Sequence, residues 1–300
     1  MNKEFDIIII GGGPAGLSAA IYASRGNRRV AVLDKALTGG QPNYYSEIVN
    51  YPGYISRSSF ALVSNMDMQA DSFGAKIFQN VNIERVALKQ YLKEVITDEG
   101  TFIAPVIIIA TGSHPKLLEV PEEEKFRFKG VSYCAVCDGG FYKGKNVAII
   151  GGGNSALEEA MYLSHIAKKV YLIHRRINFR ADRAIQEQLM NANNVEAIMN
   201  TTVQHIIGED KVTGLMLSNG YSIEVDGVFP YIGSVPNSDL FTDVLETDKN
   251  GFITVNNEQQ TSVEGVYAAG DVTNSNLKQV ITAVAGGAKA ATFGLKYLSS

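Results

Sequence analysis

One pattern occurs twice in the chain, and the repetition restricts its fold more than any other feature. Residues 5–10 are a short, almost wholly apolar run that ends in Gly11-Gly12-Gly13-Pro14-Ala15-Gly16, and residues 17–24 continue at helical spacing. Residues 147–150 repeat the apolar run, Gly151-Gly152-Gly153-Asn154-Ser155-Ala156 repeats the glycines, and residues 157–167 are again helical in spacing. An apolar run this short suits a parallel strand buried on both faces. A strand, a G-x-G-x-x-G/A turn and a helix together form the context of a dinucleotide site. There the first glycine permits the turn, the second admits a pyrophosphate, and the third lets helix pack on strand. The helix N-terminus then faces the phosphate charge. A glycine turn without a ligand is the plainer alternative, and the complete pattern argues against it. The expected fold is α/β, with two Rossmann-like nucleotide-binding domains.

The two copies keep the same register but not the same chemistry. A second strand at residues 30–33 ends at Asp34, and one at 170–173 ends at His174; Gly11 to Asp34 and Gly151 to His174 are both 23 residues apart. An acid in that slot suits a bare ribose hydroxyl, whereas His174, Arg175 and Arg176, with Arg180 beyond, suit a 2′-phosphate. The second site is therefore expected to take NADPH rather than NADH. A solvated basic run is the alternative for these arginines, and the shared register disfavours it.

Both cysteines lie in S-Y-C-A-V-C-D-G, as Cys134 and Cys137. A pair at this spacing can close and reopen a short disulfide, with the thiolate as nucleophile. Asp138 follows directly and can pass a proton to or from a thiol. A purely structural disulfide gains little from so short a loop. A zinc site lacks further ligands, because there is no other cysteine and His114, His165, His174 and His205 form no H-x(3–5)-H pair.

Composition narrows the class. At 300 residues, 45% hydrophobic and 19% charged, the chain can build two cores, and a net charge of -4 argues against general nucleic-acid binding. No apolar run approaches a membrane span and the start does not read as a secretory signal, so the expectation is a cytoplasmic protein with no membrane association. Residues 38–52 read as a long functional loop. Residues 60–73 read as a helix stopped by Gly74, and residues 75–102 as a small antiparallel insertion broken at Glu99-Gly100. The strand at 106–109 runs into Ala110-Thr111-Gly112. A helix follows residue 181, then a small closing sheet, a boundary at 233–236, and a helical stretch at 278–298. Asp271, after Ala268-Ala269-Gly270, either faces a ligand or caps that helix.

Taken together, G-x-G-x-x-G, C-A-V-C-D-G, G-G-G-N-S-A-L-E-E-A, H-R-R-x-x-x-R and A-A-G-D-V resemble, in order and spacing from end to end, the low-molecular-weight thioredoxin reductases. The resemblance implies a three-layer β/β/α FAD domain built from residues 1–113 and 236–300, with an NADPH domain at 114–235 inserted between them. It implies that Gly11, Gly13, Pro14, Ala15, Gly16 and Asp34 hold the adenosine half of FAD. Gly40, Gln41, Asn50, Thr111, Gly112, Gly270, Asp271 and Gln279 would lie near the rest, which decides Asp271 for the flavin. Gly151, Gly153, Asn154, Ser155, Ala156, His174, Arg175, Arg176 and Arg180 match the NADPH positions. Two departures touch flavin contacts: the family's usual Glu is Asp34 here, and its Arg-Gln pair is Lys278-Gln279.

The implied reaction is hydride from NADPH to FAD, electrons to the Cys134/Cys137 disulfide, and dithiol exchange with oxidised thioredoxin, in a homodimer. Cys137 would face the flavin and Cys134 attack the substrate, with Asp138 as acid and base. Because the cysteines precede Gly151 closely, they share a domain with the nicotinamide site. Both must reach one flavin, so that domain is expected to rotate on hinges at residues 112–116 and 233–236. Three alternatives compete. A ferredoxin-linked flavin reductase would lack the intact nucleotide motif and basic cluster kept here. A peroxiredoxin-reducing flavoprotein would carry a thioredoxin-like region ahead of the strand at residue 5. An FAD-binding redox sensor would not need the NADPH site.

Overall fold

The computed structural model describes residues 2–44, 47–48 and 50–299; Tyr45, Ser46 and Val49 of the 38–52 loop lie outside the described residues. The chain forms two compact units, residues 1–114 with 235–300, and residues 115–234. Its two crossings between them, Ser113–Pro115 and Ser234–Pro236, pair as a two-stranded ribbon.

The first unit is built on a five-stranded parallel sheet. Its order is Val266–Ala268, Val106–Ile109, Ile7–Ile10, Val30–Leu33 and Lys76–Phe78, with Ile7 opposite both Val30 and Val106. Alternation along the three inner strands explains why they are apolar throughout. Ile7, Ile9, Val30, Val32, Val106 and Ile108 face helices Pro14–Arg25 and Val280–Tyr297. Ile8, Ile10, Leu33, Ile107 and Ile109 face the other way, toward Val95 and Phe102 of a second, four-stranded sheet. With neither face wet, every position must be apolar, and burying each such side chain contributes roughly 1.5–3 kcal/mol over leaving it exposed.

Sequence and structure part at the insertion. Lys76–Phe78, expected in the antiparallel insertion, is the edge strand of the parallel sheet. The insertion proper is Ile83–Ala87, Lys93–Thr97 and Gly100–Ala104, turning at Thr97↔Gly100, and Asn2–Glu4 joins it parallel to Gly100–Ala104. Helix Ser59–Ser72 forms close to where its spacing placed it. Ser58 caps it by accepting the Ala61 N–H at 3.2 Å, and Leu62, Met66 and Ala70 are buried.

The second unit repeats the plan on a smaller scale. A parallel sheet in the order Val195–Ile198, Lys169–Ile173, Asn146–Gly151 and Gly227–Tyr231 is packed by helices Asn154–Ser164 and Arg183–Met190 on one face. An antiparallel sheet of Val203–Gly208, Val212–Leu217 and Ser222–Glu224 covers the other. Among the described residues no helix is long and apolar enough to cross a membrane.

In the first unit, helices Pro14–Arg25 and Val280–Tyr297 touch backbone to backbone. A Cβ at Gly287 would lie 2.0 Å from the Ala15 carbonyl oxygen, so the helices must separate to admit a methyl group. Gly287→Ala should cost about 1–3 kcal/mol, measured as a lower urea midpoint. Gly140→Ala, with nothing within 4 Å of its added Cβ, should leave the midpoint unmoved.

Candidate nucleotide and redox sites

The glycines of each motif are demanded for different reasons, and the reasons repeat between units. In the first unit Gly11 has φ +106°, and a Cβ there would lie 2.3 Å from the Ala110 carbonyl oxygen at the end of the neighbouring strand. A Cβ at Gly16 would lie 1.8 Å from the Gly11 carbonyl oxygen, so the third glycine sets helix against strand. Gly13 is different. Its backbone is ordinary and extended, at φ -77° and ψ -176°, and an added Cβ would meet only the Gly40 Cα, at 3.8 Å. Nothing in the protein requires glycine at 13, which fits a position kept bare for a ligand's close approach.

Asp34 sits beside that turn. Its Oδ2 accepts the Gly12 N–H at 2.6 Å and its Oδ1 the Ala36 N–H at 2.9 Å. Burial pushes this carboxyl up despite those two amides. The Gly39-Gly40 turn folds over the glycine loop, with the Gly39 N–H bonded to the Gly12 carbonyl, and Gly270 packs on Ala15. Gln41 Nε2 donates to the Ser113 carbonyl, while Thr111 and Gly112 are bound to Asn237, whose Nδ2 donates to the Thr111 carbonyl at 2.8 Å. Asn50 and Gln279, 229 residues apart, meet directly: Asn50 Nδ2 donates to Gln279 Oε1 at 2.9 Å, and Gln279 caps the last helix with Thr282. Asp271 is raised by burial, with Lys278 partly offsetting it. The Lys278 ammonium donates to the Asp271 carbonyl at 2.7 Å rather than to its carboxylate.

The second unit reproduces this cradle. A Cβ at Gly151 would lie 2.4 Å from the carbonyl oxygen of Tyr231, the last residue of the neighbouring strand, and 2.7 Å from the Ala156 methyl. Gly153 is extended at φ -97° and ψ 178°, with nothing within 4 Å of its added Cβ, so the middle position is bare here too. His174 occupies the slot of Asp34 and, as Asp34 does at Gly12, lies against the glycine just before the bare one: a Cβ at Gly152 would lie 2.3 Å from the imidazole. The ring is 4% exposed, stacks on Phe179, and has no partner for Nε2. Burial is the main reason its pKa is lowered, with Arg180, Arg176 and Arg175 adding to the effect.

Those arginines are exposed, the Arg180 N–H is tied to the Gly152 carbonyl at 2.7 Å, and none of the three is in an ion pair among the described residues. Ser155 is exposed on the first helical turn and Ala156 is buried. The Asn154 side chain is spent within the protein, donating to Asp182 Oδ2 and accepting the Asp182 N–H, both at 2.8 Å.

Cys134 caps the one-turn helix Ala135–Asp138, Cys137 lies within it, and the two are joined as a disulfide. Ala135 packs in one core with Leu157, Ala160 and Leu163 of the helix that the second glycine loop opens, so the redox turn is anchored on that helix. The Cys137 N–H donates to Cys134 Sγ at 3.2 Å, and the Ala135 N–H donates to the Tyr231 hydroxyl at 2.8 Å. Asp138 is raised by burial, and the Ser132 hydroxyl bonded to it works in the opposite direction. Among the described residues no group of His, Cys, Asp or Glu could hold a metal ion.

The sequence reading assigned no role to four residues: Ser132 and Glu159, which stand inside the quoted motifs, and Tyr231 and Asn237, which stand outside them. Their parts depend on hydrogen bonds and burial that only the folded chain brings about. Tyr231 hydrogen-bonds the Glu159 carboxyl, whose Oε2 is buried without a partner among the described residues. Burial, followed by repulsion from Glu158, pushes Glu159 up to about 7. Its folded pKa therefore lies above the unfolded one, and stability falls as pH rises from the ordinary carboxylate range through about 7. Glu159→Gln should raise Tm more at pH 8 than at pH 5, where the native carboxyl is already neutral; an equal gain at both would place the strain elsewhere.

Comparison with known proteins agrees with this geometry. The sequence profile of the family described as pyridine nucleotide-disulphide oxidoreductase matches residues 5–287. The chain is 39% identical over 306 residues to the thioredoxin reductase of Treponema pallidum (strain Nichols), covering 100% of this chain and 99% of that protein. It is 40% identical over 310 residues to the thioredoxin reductase of Rickettsia typhi, covering 100% of each. The crystal structure of thioredoxin reductase from Streptococcus pyogenes MGAS5005 superposes with a TM-score of 0.90 at 37% identity, covering 100% of this chain and 99% of that one. The chain belongs to the pyridine nucleotide-disulphide oxidoreductase family and, within it, to the thioredoxin reductases.

Proposed function

We propose that the protein reduces oxidised thioredoxin with electrons from NADPH, with FAD held in the first unit and NADPH in the second. The observation that carries this reading is the disulfide turn packed on the helix of a glycine cradle whose middle position is left bare. Members of the family use a flavin and a nicotinamide; bound, these supply the hydride and the two electrons that open the disulfide.

The protein's own groups account for the rest. Asp34 retains acceptor capacity beyond Gly12 and Ala36 for a ribose hydroxyl. Arg175, Arg176 and Arg180 offer exposed guanidinium groups for a 2′-phosphate, which favours NADPH over NADH and over a ferredoxin-linked reductase. His174 forms the floor of that site instead of its rim. Once the disulfide is open, the Cys137 amide favours negative charge on Cys134, making Cys134 the nucleophile toward the substrate disulfide. Asp138, holding its proton to higher pH than a free carboxyl, can protonate a departing sulfur and take a proton back. A homodimer in the cytoplasm accords with the family resemblance.

The first test is anaerobic. NADPH added to the flavin-loaded protein should bleach its absorbance where NADH does so poorly. Oxidised thioredoxin should restore the colour, and Cys134→Ser should abolish the restoration. A flavin that NADPH leaves unbleached but reduced ferredoxin bleaches would replace the proposal with the ferredoxin-linked alternative. A second test uses the bare position. Gly153→Ala should keep the wild-type Tm and raise the KM for NADPH about tenfold or more, the effect of losing one charge-assisted hydrogen bond; an unchanged KM would remove the nucleotide from that cradle.

A further inference from the structure

Asp138 lies on a one-turn helix, and among the described residues one side chain, that of Ser132, hydrogen-bonds its carboxylate. The Ser132 hydroxyl donates to Asp138 Oδ2 at 2.6 Å and accepts the Cys134 N–H at 3.2 Å. The Cys134 carbonyl oxygen, at 3.4 Å from Ser132 Oγ, is a second acceptor within its swing. Ser132 is 6% exposed, so water has little access to compete. Its main chain is fixed independently of the hydroxyl, because the Ser132 N–H donates to the Val228 carbonyl at 3.0 Å.

These bonds define two complete hydrogen-bonding states. With Asp138 ionised, the Ser132 hydroxyl donates to the carboxylate. With Asp138 protonated, the new carboxyl O–H can donate to Ser132 Oγ while the serine proton turns to the Cys134 carbonyl. Neither state strands a buried donor, so a proton can come and go without the penalty for an unpaired polar group.

We propose that Ser132 is a positioning residue for proton transfer at the disulfide, its hydroxyl turning between Asp138 and the Cys134 carbonyl each time Asp138 takes or gives a proton. The inference rests on the reading of Asp138 as acid and base. In the exchange, ionised Asp138 takes the Cys134 proton, the resulting Cys134 thiolate attacks the substrate disulfide, and one substrate sulfur leaves and is protonated by Asp138. Cys137 then loses its proton to Asp138 as its sulfur displaces the second substrate thiol from Cys134. The protein ends as the disulfide, the substrate as two thiols, and Asp138 returns to its starting form once the last proton passes to the second departing thiolate.

The groups facing Asp138 simplify the prediction. Ser132 supplies the hydrogen bond that favours its charged form. Tyr142, which feels both Asp138 and Asp226, is pushed up to about 12 and stays neutral across the working range. Removing the Ser132 hydroxyl should therefore move the Asp138 titration to higher pH.

The experiment uses the full chain, reduced with dithiothreitol and desalted anaerobically, then mixed by stopped flow with a small aromatic disulfide across a pH series. In Ser132→Ala the low-pH limb of the exchange rate should shift to higher pH, and Ser132→Thr should restore it. The infrared C=O band of protonated Asp138, assigned by its loss in Asp138→Asn, should persist to the same higher pH. Tyr231→Phe removes the hydroxyl that accepts the Ala135 N–H of the same turn, and should leave the midpoint in place. If the alanine variant does not fold, Ser132→Gly deletes the same hydroxyl and keeps the Val228 bond. An Ala or Gly variant that slows exchange at every pH with no shift in midpoint would reduce Ser132 to a structural role and overturn the inference. An Asp138→Asn variant that exchanges at the wild-type rate would instead overturn the acid–base reading of Asp138, and the inference with it.

Discussion

The organisation of both units follows from one steric constraint, the approach of a turning backbone to the end of its neighbouring strand. At Gly11 and Gly151 the chain leaves its strand so close to the carbonyl of Ala110 or Tyr231 that no Cβ fits. A side chain at either position would push the loop off the strand ends and lift the helix behind it. Since that helix also carries the sheet-facing apolar side chains, the core and the nucleotide cradle are one construction. The middle glycines, free of any steric demand from the protein, are the exception, and they mark where the construction is left open.

The redox centre depends on the same strand end. Tyr231 contributes its carbonyl to the close contact with Gly151 and its hydroxyl to the Ala135 amide at the start of the redox turn. The disulfide is thereby tied to the glycine loop through a single residue. Around it, Ser132, Tyr231 and Cys134 Sγ take up the amides of Cys134, Ala135 and Cys137, leaving one amide directed at sulfur. This arrangement supports a thiolate at Cys134. The unpaired oxygen of Glu159 and unpaired Nε2 of His174 flank the helix and loop of the same cradle, and both are destabilising features concentrated at a functional site.

Much of this was legible before any coordinates. Short all-apolar runs predicted buried strands, and Ile7–Ile10, Val30–Leu33 and Val106–Ile109 alternate between two cores as that reading requires. Register placed Asp34 and His174 in one slot, and each lies against the second of its three consecutive glycines, Gly12 or Gly152. Lys76–Phe78 was misassigned because three residues carry too little periodicity to distinguish a parallel edge from a hairpin. Asn154 matched a nucleotide-binding motif, yet its amide is committed to Asp182, a partner 28 residues away that no local pattern reveals.

Local chemistry therefore settled what the sequence could settle alone: the repeat of strand, glycine turn and helix, the pairing of Cys134 with Cys137, and the opposite charges of the two nucleotide slots. These are properties of residues adjacent in the chain, where steric and electrostatic demands are written within a few positions. Tertiary structure decided which hydroxyls hold the redox turn, that His174 is a buried floor, and that Asn50 meets Gln279 across 229 residues. Those outcomes depend on which surfaces are brought together and dried by packing, and burial of that kind leaves no trace in local sequence.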